Sequence, residues 1–190
     1  FTGPIPDWLG SMQNLQYLKL SQNALTGNLP EVLETMMTLK HLDLSDQATF
    51  GLGLRGNLLA FATQTELTEL YLHHNNFQDV IPDTFLSSVG KDQLVTVDLR
   101  FNGLGGSVPA QLGAFSQMNL YIASNLFESI PQSLCGMNWN DGDVAEHGCD
   151  GLLCPAGTFN SFGRATAGVD CFECSENSFF PMMGSTFCGS

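Results

Sequence analysis

Apolar residues return along this chain in one long phrase, LxxLxLxxNxLxGxIPxxL, that drifts gradually from copy to copy. Four stretches follow the phrase closely: residues 15–33, 67–85, 94–112 and 117–134, the last with one residue deleted. A degenerate copy begins at Leu39, and residues 1–9 match the second half of another. The copies start 24, 28, 27 and 23 residues apart. A period of this size predicts a repeat protein in which each copy is one coil of a solenoid.

Each coil is too small to bury its own apolar face, so neighbouring coils must stack. In the LxL part of the phrase, alternate residues point to opposite sides, which predicts a short strand with its apolar residues inward. These inward positions hold Leu18, Leu20, Leu70, Leu72, Val97, Leu99, Leu120 and Ile122. Two later positions complete the predicted core, with Leu25, Phe77, Leu104 and Phe127 at the first and Leu29, Ile81, Val108 and Ile130 at the second.

An asparagine recurs where each predicted strand ends and the chain turns. The four positions of this asparagine ladder are Asn23, Asn75, Asn102 and Asn125. A carboxamide has both donors and an acceptor, so it can bond the buried backbone groups that a tight turn leaves unpaired. The second coil has Gln47 at this position and lacks the Gly-Xaa-Ile-Pro segment. We therefore expect an irregular bulge at residues 46–58.

Composition and charge narrow the function classes. The 190 residues are 43% apolar, enough for a continuous core, and include 19 acidic but only six basic residues, for a net charge of −13. Because such a surface repels phosphate, nucleic acid is excluded as a partner. The longest uncharged stretch, residues 101–127, is interrupted by Pro109 and several glycines, so no membrane span is expected.

The Gly-Xaa-Ile-Pro segments give the repeats a family likeness. They lie at Gly3/Ile5/Pro6, Gly27/Leu29/Pro30, Ile81/Pro82, Gly106/Val108/Pro109 and Ile130/Pro131. Residues 1–134 thereby resemble plant-type leucine-rich repeats. The resemblance implies an α/β-type leucine-rich-repeat solenoid, a curved right-handed superhelix with a parallel β-sheet on its concave face and often a second short sheet. It also implies an extracellular recognition domain like those of receptor-like kinases, receptor-like proteins and cell-wall inhibitors.

All cysteines lie in the last third of the chain, at Cys135, Cys149, Cys154, Cys171, Cys174 and Cys188. The segment CPAGTF at residues 154–159, together with the later cysteines, is similar to ephrin-receptor-like and tumour-necrosis-factor-receptor-like cysteine-rich modules. Six cysteines allow 15 pairings, of which proximity and this likeness favour 135 with 149, 154 with 171 and 174 with 188. The alternative is a zinc site formed by Cys149, Cys154, Cys171 and Cys174, with His147 nearby. Dense cysteines in a small segment without a core favour disulfides and an oxidising, extracellular compartment.

Three parts follow from these patterns. Leucine-rich repeats occupy residues 1–134, as a partial first repeat and then about five more. A disulfide-stapled C-terminal cap occupies residues 135–153. A small disulfide-rich, cysteine-rich module occupies residues 154–190.

The strand residues between the inward positions face the concave surface, where we place the candidate binding site. Alignment of the strands gives a middle row of Lys19, Asp43, Tyr71, Asp98 and Tyr121. The flanking rows are Tyr17, His41, Glu69, Thr96 and Asn119 on one side and Ser21, Ser45, His73, Arg100 and Ala123 on the other. Tyrosine and arginine beside carboxylates form a candidate recognition stripe, because large amphipathic side chains dominate interface energetics. The alternative is a sheet surface that is merely solvated.

Catalysis, cofactors and bound metals are not expected. Asp43 and Asp98 could suggest an acid and base pair, but they lie two strands apart on what we expect to be an open surface. His41, His73 and His74 are interpreted as unliganded. The acidic segment 138–143 lacks the ligand spacing of a calcium loop, so we expect it to be a capping loop.

The leading hypothesis is an extracellular or cell-surface module, such as the ectodomain of a membrane protein. It would bind a protein, peptide or glycan ligand on its concave face. The alternative is a structural or scaffolding subunit of a cell-surface coat, fibre or larger assembly. In both cases we expect a longer protein or a larger assembly, because the first coil leaves Phe1, Ile5 and Leu9 uncovered.

Overall fold

The computed structural model describes residues 1–47, 53–175 and 182–189. Its central element is a five-stranded parallel sheet, called here the main sheet. The strands lie side by side in chain order: Tyr17–Lys19, His41–Asp43, Glu69–Tyr71, Val95–Asp98 and Met118–Tyr121. The LxL phrase therefore forms one strand in each coil, the degenerate second copy included.

A second side of the coils carries three short parallel strand pairs. Thr2–Gly3 pairs with Ala24–Leu25, Gly27–Asn28 with Leu54–Arg55, and Gly105–Ser107 with Leu126–Ser129. Gly27 and Gly106 have φ angles of 87° and 69°, in the region that favours glycine. This backbone conformation explains the glycine of the Gly-Xaa-Ile-Pro segment.

Proline introduces four of the five 3₁₀ helices that the structure describes in the repeats. The 3₁₀ helices Asp7–Ser11, Glu31–Thr35, Ala110–Ala114 and Gln132–Leu134 each follow directly after a proline of the repeat. Proline restricts φ and, standing before the helix, removes none of its hydrogen bonds. The coil that lacks this proline has a 3₁₀ helix of three residues at Leu59–Phe61, the same length as Gln132–Leu134. Within the described ranges, no helix combines the length and apolar character needed to cross a lipid bilayer.

The inward positions form one continuous core. Leu70, Leu72, Val97, Leu99, Leu120 and Ile122 have no exposed surface, and Leu25, Phe77, Leu104 and Phe127 are at most 4% exposed. Leu18, Leu20, Leu29 and Ile130 are only partly buried but pack against this core. Leu18 lies in the edge strand of the main sheet and Leu20 directly follows it, so a neighbouring strand covers them from one side only.

The asparagine ladder bonds each coil to the ones before it. The Asn75 Oδ1 accepts the Leu54 N–H at 2.9 Å, while its Nδ2 donates to the Leu44 carbonyl at 2.9 Å and the Leu72 carbonyl at 3.1 Å. Asn102 and Asn125 make the equivalent bonds one and two coils later. Asn23 donates within its own coil.

Gln47 takes the place of asparagine in the second coil. Its Oε1 accepts the Leu25 N–H at 3.0 Å, and its Nε2 donates to the Leu20 carbonyl at 2.6 Å. Of the bulge expected at residues 46–58, residues 48–52 lie outside the described residues. After them, Leu54–Arg55 pairs with Gly27–Asn28 of the preceding coil.

The segment around Trp139 and Asn140 closes the last coil. Trp139 is fully buried and donates its indole N–H to the Phe115 carbonyl at 3.1 Å. The Asn140 side chain accepts the Leu120 N–H at 2.7 Å and donates to the Leu120 carbonyl at 3.2 Å. Asn140 thus bonds the outermost strand where a sixth strand would otherwise pair. Three short helices follow, Asn140–Gly142, the α-helix Asp143–His147 and Gly148–Gly151.

Three disulfides staple the C-terminal region. They join Cys135 to Cys149, Cys154 to Cys171 and Cys174 to Cys188, the pairs favoured by proximity and resemblance. No cysteine is left as a thiol for zinc, so the zinc alternative is wrong. A small antiparallel pair, Thr158–Phe159 with Phe172–Glu173, lies inside this region.

The region after Cys154 packs tightly onto the last coil. The Ser124 N–H donates to the Gly184 carbonyl at 3.0 Å. A Cβ atom at Gly163 would lie 2.5 Å from both the Ala123 Cβ and the Gly184 carbonyl oxygen. The approach of the two parts therefore requires a glycine at this position.

Candidate ligand-binding surface

The main sheet has one face buried in the core, and its opposite face, called here the outer face, carries the candidate site. Strand pairing aligns Tyr17, His41, Glu69, Thr96 and Asn119 in one row. It aligns Lys19, Asp43, Tyr71, Asp98 and Tyr121 in the next. Ser21, Ser45, His73 and Arg100 lie two residues beyond the last residue of each strand. The strand register therefore places the two rows side by side on the main sheet, with different degrees of burial.

A first cluster of outer-face residues surrounds Glu69. One carboxylate oxygen, Oε2, lies 2.9 Å from the His41 Nδ1 and accepts the Tyr71 hydroxyl at 3.1 Å. The His41 ring lies between two tyrosines, with centroid distances of 6.3 Å to Tyr17 and 5.4 Å to Tyr71. Glu69 remains 45% exposed and Tyr17 63% exposed, so this cluster is open to solvent.

The cluster changes the acidity of two groups. Burial, followed by the negative charge of Glu69 and its hydrogen bond, raises the pKa of Tyr71 to about 12. Burial alone would raise the pKa of Asp43, but hydrogen bonds from Ser45 and Ser21 outweigh it and hold that pKa below its ordinary value. At neutral pH the outer face therefore keeps Tyr71 protonated and Asp43 ionised.

A second cluster, around Asp98, corrects the expectation of an open carboxylate. Asp98 is only 3% exposed, because Arg100 and His73 cover it. The Arg100 Nε and Nη2 donate to the two carboxylate oxygens at 2.9 and 2.6 Å, and the His73 Nδ1 lies 3.3 Å from Oδ2. Burial of a carboxylate is tolerated when it is paired with a charged donor in this way. The Asp98 carboxylate therefore bonds groups within the protein and is not presented to a ligand.

His41 is a second correction, since it is 7% exposed and not an open side chain. The flanking tyrosine rings and Glu69 cover it. Its Nε2 is buried and has no hydrogen-bond partner among the described residues. His41 is therefore a supporting residue beneath the surface that Tyr17, Glu69 and Tyr71 present.

The third cluster contains two residues that the repeat pattern did not indicate. Arg164, from the cysteine-rich region, lies with its guanidinium 5.3 Å from the centre of the Tyr121 ring, and Arg100 lies 5.4 Å from the same ring. Arg164 is held by a 2.5 Å ion pair with Asp143. Phe162 joins these residues around a small cleft of about 70 Å³. No sequence signal could place Arg164 here, because the contact depends on how the C-terminal region docks.

The histidines do not converge on a metal site. His73 faces Asp98 and Asp46, at 3.3 and 3.8 Å, while His74 stacks on Phe101 with ring centroids 4.3 Å apart. Over the ranges that the structure describes, no three His, Cys, Asp or Glu side chains are grouped closely enough to hold an ion. The chemistry that this surface offers is hydrogen bonding, charge pairing and aromatic stacking.

Comparisons with known proteins identify the fold. The family model for the leucine-rich repeat matches residues 14–36 and 66–88. A plant ice-binding protein is similar at 27% identity and a TM-score of 0.62, over 72% of this chain and 42% of that one. The TDR receptor is similar at 30% identity and a TM-score of 0.60, over 71% of this chain and 22% of that one.

A third similar structure is the Arabidopsis receptor kinase HAESA, in complex with the peptide hormone IDA and the co-receptor SERK1. It is 27% identical with a TM-score of 0.58, over 72% of this chain and 22% of that one. This chain thus spans less than half the length of each of these three structures. Among curated protein sequences, none matches it significantly.

The comparisons do not test the likeness of the cysteine-rich region to ephrin-receptor-like or tumour-necrosis-factor-receptor-like modules, which stays a prediction. The repeat match and the similar structures agree with the stacked coils and parallel sheets described above. The chain therefore has a leucine-rich-repeat solenoid fold with a disulfide-bonded C-terminal region.

Proposed function

We propose that this chain is an extracellular recognition module that binds a peptide, protein or glycan on the outer face of the main sheet. One observation carries the proposal: an unbroken strand register holds a row of tyrosines and charged side chains side by side. Large amphipathic side chains on a rigid scaffold lose little conformational entropy on binding, which favours affinity.

Two further observations support this function. The complex of HAESA with a peptide hormone is an example of ligand binding by a similar fold. Three disulfides fit an oxidising compartment, which supports a location outside the cell or at its surface. The clusters on the outer face contain no activated nucleophile and no paired acid and base, so we propose recognition without catalysis.

The test is binding to arrays of secreted-type peptides and of glycans. We expect wild-type protein to bind a defined set of array members, and the double variant Tyr71→Ala/Tyr121→Ala to lose them. Glu128→Gln changes an exposed side chain on Leu126–Ser129, a strand outside the main sheet. It serves as a matched control that should bind like wild type. Circular dichroism checks that all three proteins are folded. Equal binding by the double variant and the control would contradict the proposal.

A structural role in a coat or fibre is the second candidate. It is favoured by the apolar side chains exposed at the first coil, where Trp8 is 61% and Met12 42% exposed, although Ile5 and Leu9, expected from the sequence to be uncovered, are only 4% and 5% exposed. Burying such a patch against another subunit would stabilise an assembly. Light scattering of the purified chain tests this candidate, because a concentration-dependent increase in mass that Trp8→Ser abolishes would favour it.

A further inference from the structure

The carboxylate of Glu69 is held in place through only one of its oxygens. Both the His41 Nδ1 and the Tyr71 hydroxyl contact Oε2. Oε1 has no hydrogen-bond partner among the residues that the structure describes, and the side chain is 45% exposed. The Tyr71 hydroxyl orients the Glu69 carboxylate and, being uncharged, does not neutralise it. Oε1 is therefore a preoriented anionic acceptor that faces solvent.

Aromatic rings flank this free oxygen. Tyr71 lies on the same strand, two residues after Glu69, and Tyr17 lies across His41 from it. A cation placed over a tyrosine face is attracted by the negative face of the ring, and a guanidinium group also stacks on it. An arginine side chain is thus suited to use the rings and the carboxylate together.

His41 contributes a second unpaired polar atom, the ring nitrogen Nε2 that does not contact Glu69. That nitrogen is buried on a side chain nine-tenths buried and has no partner within the described structure. Buried polar atoms are almost always bonded, so the unpaired nitrogen next to an open carboxylate indicates that a shift of the covering side chains on ligand binding would complete the hydrogen bonding of this cluster.

The charge of the molecule agrees with a cationic ligand. The chain carries a net charge of −13, which attracts basic partners at long range. Arg100, a basic residue of the outer face, is engaged by Asp98 and so does not neutralise Glu69. Lys19 stands in the neighbouring row, where strand pairing places it beside Asp43.

We propose that Tyr17, His41, Glu69 and Tyr71 form a subsite that takes one arginine side chain of a peptide or protein partner. The inference rests on the proposed function and names the chemistry that one end of the outer face recognises. Arginine is favoured over lysine because its planar fork can donate two hydrogen bonds while it stacks on a ring. A lysine would bind as a point charge and more weakly.

The probe for this subsite is the blocked tripeptide acetyl-Gly-Arg-Gly-amide, titrated into ¹⁵N-labelled protein and followed by amide chemical shifts. The matched control ligand replaces arginine with citrulline, which has the same shape and no charge. We expect saturable shifts centred on residues 17, 41, 69 and 71, with citrulline at least tenfold weaker. Shifts spread evenly over the acidic surface, or equal binding of the citrulline peptide, would overturn the proposal.

Protein variants separate the subsite from the general charge of the molecule. Glu69→Gln should weaken the arginine peptide at least tenfold, while Glu128→Gln, which removes the same charge from another surface, should leave the affinity unchanged. Tyr17→Ala, at a well-exposed position, should weaken it about three- to fivefold through loss of the cation–π contact. Indistinguishable affinities for Glu69→Gln and Glu128→Gln would refute the role of Glu69.

Different results would refute the recognition function and the arginine subsite. If the arrays identify ligands that depend on Tyr71 and Tyr121 but the arginine peptide does not bind, only the arginine subsite is wrong. If the arginine peptide binds at Glu69 and no array member depends on the outer face, the proposed recognition function is wrong.

Discussion

Replacing Asn75 by alanine should destabilise the solenoid far more than the loss of an average polar side chain. Asn75 is 6% exposed, and its side chain bonds the Leu54 N–H, the Leu44 carbonyl and the Leu72 carbonyl. Alanine leaves the Leu54 N–H and the Leu44 carbonyl without this side-chain partner, whereas the Leu72 carbonyl still accepts the Asn102 amide, and a buried unsatisfied group costs about 1–3 kcal/mol. With partial relaxation of the Leu44 carbonyl, we expect the free energy of unfolding to fall by about 2–4 kcal/mol.

Urea denaturation of the disulfide-intact protein, followed by circular dichroism, measures this loss. The neighbouring Asn76 is the matched control. Its side chain accepts only the Gln78 amide, and the backbone bond of its N–H to Leu54 survives substitution. Asn76→Ala should therefore cost less than about 1 kcal/mol. Asn75→Asp, which keeps the acceptor but buries an unpaired carboxylate against two carbonyl oxygens, should cost at least as much as alanine.

The explanation of the asparagine ladder would be refuted if Asn75→Ala and Asn76→Ala lowered the urea midpoint equally. Equal m-values for the three variants and wild type are needed for the comparison, because a change in m signals a different unfolded state or loss of two-state behaviour. A solenoid of few coils that unfolds as one unit is expected to meet this condition.

Three other perturbations test separate features. Cys135→Ser/Cys149→Ser, which opens a crosslink spanning 14 residues, should lower the free energy of unfolding by about 3 kcal/mol, measured in urea against wild type. Gly163→Ala should release the C-terminal region from Ala123 and speed limited proteolysis of that region. Gly168→Ala should not, because Gly168 has a similarly positive φ but no neighbour within 4 Å. Equal digestion of both variants would contradict the packing argument. The ultraviolet titration of Tyr71 should centre near pH 12, and Glu69→Gln should lower that midpoint. The folded state holds the phenol proton of Tyr71 more tightly than the unfolded chain does. The stability that this group contributes is therefore present below pH 10 and is lost as the pH rises towards 12. An unchanged midpoint in Glu69→Gln would refute the coupling.

Sequence reasoning could establish the strands of the main sheet because leucine spacing constrains them so strongly. Leu18, Leu70 and Val97 have to share one row if the core is to be continuous, and strand pairing then fixes the residues on both sides of them. Gln47 could be recognised as a replacement for asparagine because its carboxamide offers the same donors and acceptor.

Side-chain conformation on the outer face could not be derived in the same way. The repeat places Asp98 and Arg100 two residues apart on one strand, but burial of the carboxylate depends on the direction of the arginine and on His73 from the next strand. Asn140 and Arg164 lie outside the repeats, so no periodic pattern predicts their contacts with Leu120 and Tyr121.

The two ends of the main sheet differ in how they are finished. The last strand is sealed by Asn140 and by the docked C-terminal region, whereas the first strand, Tyr17–Lys19, has one edge without a partner in the described structure. Local opening in such an array begins at the least-supported unit. Amide exchange should therefore slow from the first strand to the last. A ligand lying across the sheet would therefore meet a rigid surface at Tyr121, where Arg164 of the docked C-terminal region contacts the ring.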